Sequence, residues 1–335
     1  MSNDIVRLTM RLMEIESTSG NEGAVITWLD DYLKRAKWTT RRIPVTPGRD
    51  ALVATSVAEP LVTLSTHLDT VPPYIPPRLD GDALWGRGAC DAKGIAASMI
   101  FAAERLRSES VPVALLFVVG EEVTHDGAEA ANRVPTTSRV LINGEPTEST
   151  LVLGTKGAMR FTLRTRGSAA HSAYPHLGKS AISELVRLLA ELETLPLPSD
   201  PDLGDTTINI GVISGGVADN VMAPVAEARL MARLVTPPEA LVAVLTAWLA
   251  GRAEFAQSIT VSLARLGTLP GFPTSVAAFA TDIPKLTNWG TPYLFGPGSI
   301  HVAHRDDEHV KVAELVSAVD QYVEISKQAL SRASP

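Results

Sequence analysis

A chain of 335 residues with 45% hydrophobic and 20% charged side chains has material for a sizeable core and lies far from the composition of a disordered segment. Its formal charge of −7, with no long basic run, argues against nucleic acid or an anionic membrane surface as partner and favours a small molecule. One cysteine, Cys90, excludes an intrachain disulfide and a cysteine-rich zinc knuckle. Residues 1–16 contain no signal-peptide core, and no stretch reaches the roughly 18 apolar residues of a membrane span, so a cytoplasmic protein is expected.

Helical periodicity runs through 5–15 and, after the turn-rich Ser17-Thr18-Ser19-Gly20-Asn21, through 22–36. Short apolar runs at 51–56, 61–67, 113–119 and 139–143 read as strands. An Ala-rich helical pattern at 94–107 lies between the second and third, and a shorter helix near 127–132 between the third and fourth. Such alternation predicts an α/β sheet covered on both faces. After Gly154-Thr155-Lys156-Gly157 the order becomes strand 161–166, helix 181–192, strands 207–213 and 226–235, helix 238–249 and strand 259–266. That β-α-β-β-α-β order belongs to a ferredoxin-like sandwich. Past Thr268-Leu269-Pro270-Gly271 the α/β pattern resumes with a strand at 292–295 and a closing helix from about Glu308 to Leu330. The expected architecture is an α/β domain with a mixed sheet, residues 1–157 and 268–335, interrupted by an inserted ferredoxin-like α+β domain at 158–267.

Five acids and histidines sit where a predicted strand ends or a loop begins in the α/β part: His67, Asp91, Glu122, Glu145 and His304. In open α/β sheets, side chains at the carboxyl ends of separate strands converge on one spot. Imidazole and carboxylate together suit zinc, and a carboxylate shared by two ions can hold them roughly 3.5–4 Å apart. In His67-Leu68-Asp69 the aspartate is placed to fix the histidine's tautomer. Glu121 and Glu122 would repel each other at the mouth of a core strand unless cations lie nearby. Glu122 can then ligate while Glu121 takes a proton from a water that zinc has acidified to a pKa of about 7. Taken singly, each motif also reads as an ordinary strand-end pair or a solvated acid pair. Other chemistries lack their signatures: there is no G-x-S-x-G elbow, no phosphate-binding G-x-x-x-x-G-K-[ST] and no H-E-x-x-H. Cys90 reads as a small buried side chain. His125, His176, His301 and His309 read as loop or helix-surface residues, with His301 nearest to a supporting role.

The stretch His67-Leu68-Asp69-Thr70-Val71-Pro72-Pro73, then Asp80-Gly81 and Trp85-Gly86-Arg87-Gly88-Ala89-Cys90-Asp91-Ala92-Lys93-Gly94, resembles the first signature of a known family. These are the co-catalytic zinc peptidases and deacylases, which include acetylornithine deacetylase, succinyl-diaminopimelate desuccinylase, aminoacylase and glutamate carboxypeptidase. Gly120-Glu121-Glu122, Gly144-Glu145-Pro146-Thr147 and Gly154-Thr155-Lys156-Gly157 follow in the family's order, and similar elements reach Ala303-His304 and Asp307-Glu308. The resemblance implies two Zn²⁺ ions, with Co²⁺ or Mn²⁺ as substitutes that share ligand types. Asp91 would bridge them, His67 and Glu145 would hold one, and Glu122 and His304 the other. Glu121 would be the general base and later the proton donor to the leaving amine, and Arg87 and Gly88 would shape the turn that presents Asp91. In Ala170-His171-Ser172-Ala173-Tyr174-Pro175, the resemblance implies that His171 reaches the active site of the other subunit in a homodimer built through the inserted domain, where it stabilises an oxyanion. It likewise implies substrate contacts at Asn220, Arg233, Gly298 and Ser299, the arginine fork being a natural clamp for an α-carboxylate. Gly296-Pro297-Gly298-Ser299-Ile300 with Ala303-His304 looks most like acetylornithine deacetylase. Deacylation of an N-acyl amino acid of the N-acetylornithine type, in arginine synthesis, is therefore the leading expectation. The alternatives are a dipeptidase or carboxypeptidase, a succinyl-diaminopimelate desuccinylase, and a metal-free ligand-binding relative.

Overall fold

In the computed structural model, which describes residues 2–333, the expected helices and strands form where apolar spacing demands burial. The helix Ser2–Glu14 buries Ile5, Val6, Leu8, Leu12 and Met13 along one stripe, and Gly23–Arg35 buries Val25, Ile26, Leu29 and Leu33. Strands Val62–His67 and Val113–Val118 are buried at every position, as strands covered on both faces must be. Alternation decides which face each side chain joins. Leu52, Ala54, Leu64, Leu115, Phe117 and Ile142 pack with the helices Ser2–Glu14, Lys93–Ser108 and Val312–Arg332. Ala51, Val53, Leu116, Val118 and Leu141 pack on the other side with Ala128, Ala130, Ala131 and Trp289.

The six-stranded sheet runs Thr39–Thr46, Arg49–Thr55, Val113–Val118, Val62–His67, Val140–Asn143, Thr291–Leu294. The first two strands are antiparallel to their neighbours and the last four are parallel, which makes the sheet mixed. Strand Thr39–Thr46 lacks a sequence signature because it is an edge strand with polar residues exposed on both faces.

Two expected elements change. The closing helix begins at Val312, because His309–Lys311 pairs as a strand with Ala83–Trp85 and Glu308 is wholly buried. The expected strand 259–266 divides: Glu254–Val261 joins the sheet of the inserted segment, and Ala264–Arg265 pairs separately with Thr155 and Gly154; the register of the first slips between Gln257 and Ile259, which breaks the alternation that marks a strand.

The chain divides into two compact units, Met1–Leu153 with Leu266–Ser275 and Thr281–Pro335, and Gly154–Arg265 with Val276–Ala280. The second unit has a four-stranded antiparallel sheet in the order Thr207–Gly215, Val225–Leu234, Gly157–Arg166, Glu254–Val261. Helices Ala181–Leu192 and Pro238–Leu249 cover one face, burying Leu185, Leu188, Leu241 and Leu245 against Phe161, Leu163 and Leu230. No helix among the described residues is long and apolar enough to cross a membrane.

Candidate metal centre

Parallel pairing levels the carboxyl ends of four strands along one edge of the larger sheet. His67 pairs with Val118, Ser65 with Asn143, and Leu294 with Asn143. His67 closes its strand, Glu121 and Glu122 follow the next after a turn at Gly120 (φ +75°), and Glu145 follows the third. Gly298, Ser299 and His304 lie in the loop after the fourth, and Asp91 comes from the turn before Lys93–Ser108. Gly298, at φ +81°, packs so closely on this turn that a Cβ there would lie 2.8 Å from Cys90 Cβ. Cys90 itself is buried, as expected.

Asp91 stands between two imidazoles. His67 Nε2 lies 3.0 Å from Asp91 Oδ1 and 3.9 Å from Glu145 Oε2. On the other side His304 Nε2 lies 3.2 Å from Asp91 Oδ2 and 3.0 Å from Glu122 Oε2. One ligand atom each from His67, Asp91 and Glu122 fall within 4.8 Å of one another. Each histidine therefore has its own glutamate, and the two pairs share one aspartate. Asp69 is buried and holds the arrangement together. Its Oδ1 lies 3.5 Å from His67 Nδ1, and its carboxylate accepts the amide N–H of Glu121 at 3.1 Å, the amide N–H of Glu122 at 3.2 Å and the Ser19 hydroxyl at 2.7 Å.

The electrostatics are those of a crowded acid cluster. Burial, then the charge on Glu145, pushes the Glu121 carboxyl well above its ordinary range, and burial does the same to Glu145. Hydrogen bonds to Asp91 and Glu122 push His304 up to about 10. Against the upward push of burial, the His304 and His67 imidazoles hold Asp91 low. Glu145 Oε1 is buried with no hydrogen-bond partner, an acceptor that a native interior rarely leaves unpaired. Cations would answer both the orphaned oxygen and the mutual repulsion, so the residues present fit a metal centre. His304, half exposed at φ +65°, marks its open side.

A family model described as a peptidase dimerisation domain matches residues 153–255. A probable carboxypeptidase of Aspergillus fumigatus is 38% identical over 379 residues, covering 96% of this chain and 86% of the relative. A peptidase M20 domain-containing protein of Schizosaccharomyces pombe is 38% identical, covering 96% of this chain and 83% of its own. The chain belongs to the M20 peptidase family. Its fold, a catalytic α/β domain with a dimerisation domain, also matches solved structures. A tripeptidase from Staphylococcus aureus superposes with a TM-score of 0.81 at 18% identity, covering 99% of both chains. A Bacillus subtilis protein described as a dinuclear metal-binding peptidase of the M20 family gives 0.73 at 15% identity, covering 98% of both.

This M20 peptidase also places supporting residues around the cluster. Glu308 is wholly buried and accepts from the Arg87 guanidinium at 2.6 Å and the Gly88 amide at 2.9 Å, with the Cys90 and Asp91 amides at 3.3 Å. It thereby shapes the turn that presents Asp91. Lys93, also buried, donates to Ile15 O at 2.7 Å, and burial lowers its amine to about 7. His125 lies in the loop before Asp126–Asn132, as expected, and its Nδ1 lies 2.9 Å from the buried Asp282 Oδ1 and 3.9 Å from Glu121 Oε1. His301 is exposed, and among the described residues its ring touches no member of the cluster. Ser299 donates to Glu148 at 2.5 Å.

The remaining expected site residues lie in the second unit of the M20 peptidase. His171 is exposed and pairs across an isolated bridge with Val221, while the Ser172 amide donates to Asn220 O at 3.0 Å, so His171 and Asn220 share one loop contact. Arg233 lies near the end of Val225–Leu234, opposite Thr207 and Ala158, with no ion pair among the described residues.

Proposed function

We propose that this M20 peptidase is a dinuclear metal hydrolase that removes the C-terminal residue from short peptides. The observation that carries the reading is Asp91 shared by two histidine–glutamate pairs beside the orphaned Glu145 Oε1. His67 and Glu145 would hold one ion, Glu122 and His304 the other, and Asp91 both, with Zn²⁺ the first choice and Co²⁺ or Mn²⁺ as substitutes. Such ions, when bound, supply Lewis acidity toward the scissile carbonyl and toward an attacking water. Asp69 orients His67 and fixes the backbone of Glu121 and Glu122. Glu121, held beside the cluster by the Asp69 contact to its amide, would take a proton from the attacking water and return it to the leaving amine. Arg233 would grip the terminal carboxylate, with Asn220, Gly298 and Ser299 lining the substrate. His171 would stabilise the oxyanion across a homodimer made through the dimerisation domain.

The peptide substrate is supported by the relative named a probable carboxypeptidase and the fold neighbour named a tripeptidase. Deacetylation of N-acetylornithine has no counterpart among these names, although its substrate offers the same α-carboxylate to the clamp. A silent, metal-free relative is disfavoured because every expected ligand and the base are present. The test is a hydrolysis panel with added zinc, cobalt or manganese, comparing di- and tripeptides with free or amidated C-termini, N-acetylornithine and N-succinyl-diaminopimelate. Cleavage of the free-carboxyl peptides, lost on amidation and on chelation, is expected. A preference for N-acetylornithine would overturn the peptide substrate and keep the metal chemistry, whereas hydrolysis that survives chelation would overturn the metal chemistry itself.

A further inference from the structure

At the end of the larger sheet away from the metal centre, the apolar layer that contains Ile43, Val53 and Trp289 stops short and leaves a cavity of about 330 Å³. Val53, Ala114, Val134, Pro135 and Trp289 give it apolar walls. Arg41 and Ala58 also line it and are themselves exposed, so it opens to solvent. Ala114 lies four residues before Val118, about 13 Å of strand, and Glu121 and Glu122 follow beyond that far end. The cavity is therefore separate from the site described above.

The polar groups that line it are of one kind. Alternation puts Thr39, Arg41 and Ile43 on the same face of their strand, where Thr39 pairs with Thr55 and Arg41 with Val53. Arg42, on the opposite face, is taken up by Asp30 at 2.8 Å and Asp50 at 3.9 Å. Among the described residues, the Arg41 guanidinium and the Thr39 and Thr55 hydroxyls have no ion-pair or hydrogen-bond partner. The hydroxyls of the facing loop are already used: Thr136 accepts from the Ser138 amide at 3.1 Å, and Thr137 donates to Pro60 O at 2.8 Å. No aspartate or glutamate among the described residues lines the cavity.

This set selects a ligand. An unpaired guanidinium beside two free hydroxyls receives a carboxylate, and the walls receive an apolar body. A molecule that also carried an ammonium group would find no acid to meet it, and burying that charge would cost affinity. The volume is at the low end of small-molecule sites and suits a single ring on a short chain. We propose that this cavity is a second binding site, for a small apolar monocarboxylate without a free amine, with Arg41 gripping the carboxylate and Trp289 walling the apolar body.

The probe is 3-phenylpropionate, titrated calorimetrically into the zinc-loaded full-length enzyme and into the same preparation after chelation. One saturable site with a Kd of about 1 mM or tighter is expected, unchanged by removal of the metal. On the chelated enzyme, the neutral isostere 3-phenylpropanamide and the ammonium-bearing phenylalanine should each bind about 10-fold more weakly or worse. Arg41→Gln should weaken 3-phenylpropionate by a similar factor, and Ala58→Trp should block the mouth and abolish binding. Both variants should keep the wild-type thermal midpoint and peptide turnover, since neither residue belongs to the buried core or the metal centre. Binding that disappears with the metal would put the acid on the ions and overturn the proposal. So would equal binding of the amide, binding indifferent to both variants, or no saturation below about 10 mM. The amide comparison needs no variant, so the choice of ligand is tested even where a variant fails to fold.

Discussion

Glutamine at position 121 keeps the shape of the side chain and removes the proton acceptor. Glu121→Gln is expected to retain both ions and lose about 10²- to 10⁴-fold in turnover, measured as metal content and kcat on the same preparation. At His304 the expectation concerns protons. Asp91 and Glu122 raise its imidazole to about 10, so in the metal-free protein it carries a proton below that pH, and a cation has to displace it. Metal uptake at pH 7 should release protons, and affinity should weaken as the pH falls. Calorimetry in two buffers of different ionisation heat measures this, and uptake with no proton release at pH 7 would count against His304 as a ligand. His67, Glu121, Glu122 and Glu145 were legible in the sequence because each is a ligand type at or just past the end of an apolar run, whereas Asp91 and His304 lie in loops and were legible through the family resemblance. Glu308 was not, because it works through backbone amides and a buried arginine, a role with no residue pattern. Nor was the Asp282 contact of His125, whose two members are more than 150 positions apart in the chain.

Among the elements, the turn from Gly88 to Asp91 depends most on a distant partner. Removing the Glu308 carboxylate would leave the Arg87 guanidinium buried without its counter-charge, a loss of about 3–5 kcal/mol. Glu308→Ala should therefore lower the denaturation midpoint and reduce bound metal together. A variant that unfolds earlier yet binds a full complement would show that the turn keeps its shape without this acid. The core strands Val62–His67 and Val113–Val118 could be read from sequence because burial on both faces demands a continuous apolar run. Thr39–Thr46 could not, since an edge strand that exposes both faces needs no such run. The periodicity predicts a closing helix from about Glu308; pairing of His309–Lys311 with Ala83–Trp85 delays it to Val312.

For the whole molecule, the second unit offers an edge. Strand Thr207–Gly215 lies at the margin of its sheet with Val212 43% and Ile213 57% exposed, and the neighbouring Ile182 is 40% exposed against Gly216. Unpaired strand edges with apolar side chains invite a second copy, and lysine is a natural guard against such pairing. The protein is expected to sediment as a dimer and Ile213→Lys as a monomer. A monomeric variant with full turnover would remove His171 from any role across subunits. The division of the first unit around the second also sets an order of events. The ribosome delivers His67, Asp91, Glu121, Glu122 and Glu145 before the insert, and His304 and Glu308 after it. At about 5–20 residues per second, the nascent chain spends on the order of ten seconds with only one histidine–glutamate pair made and Val140–Asn143 still lacking its outer strand. The second histidine–glutamate pair, His304 with Glu122, can therefore form only after the whole second unit has been made.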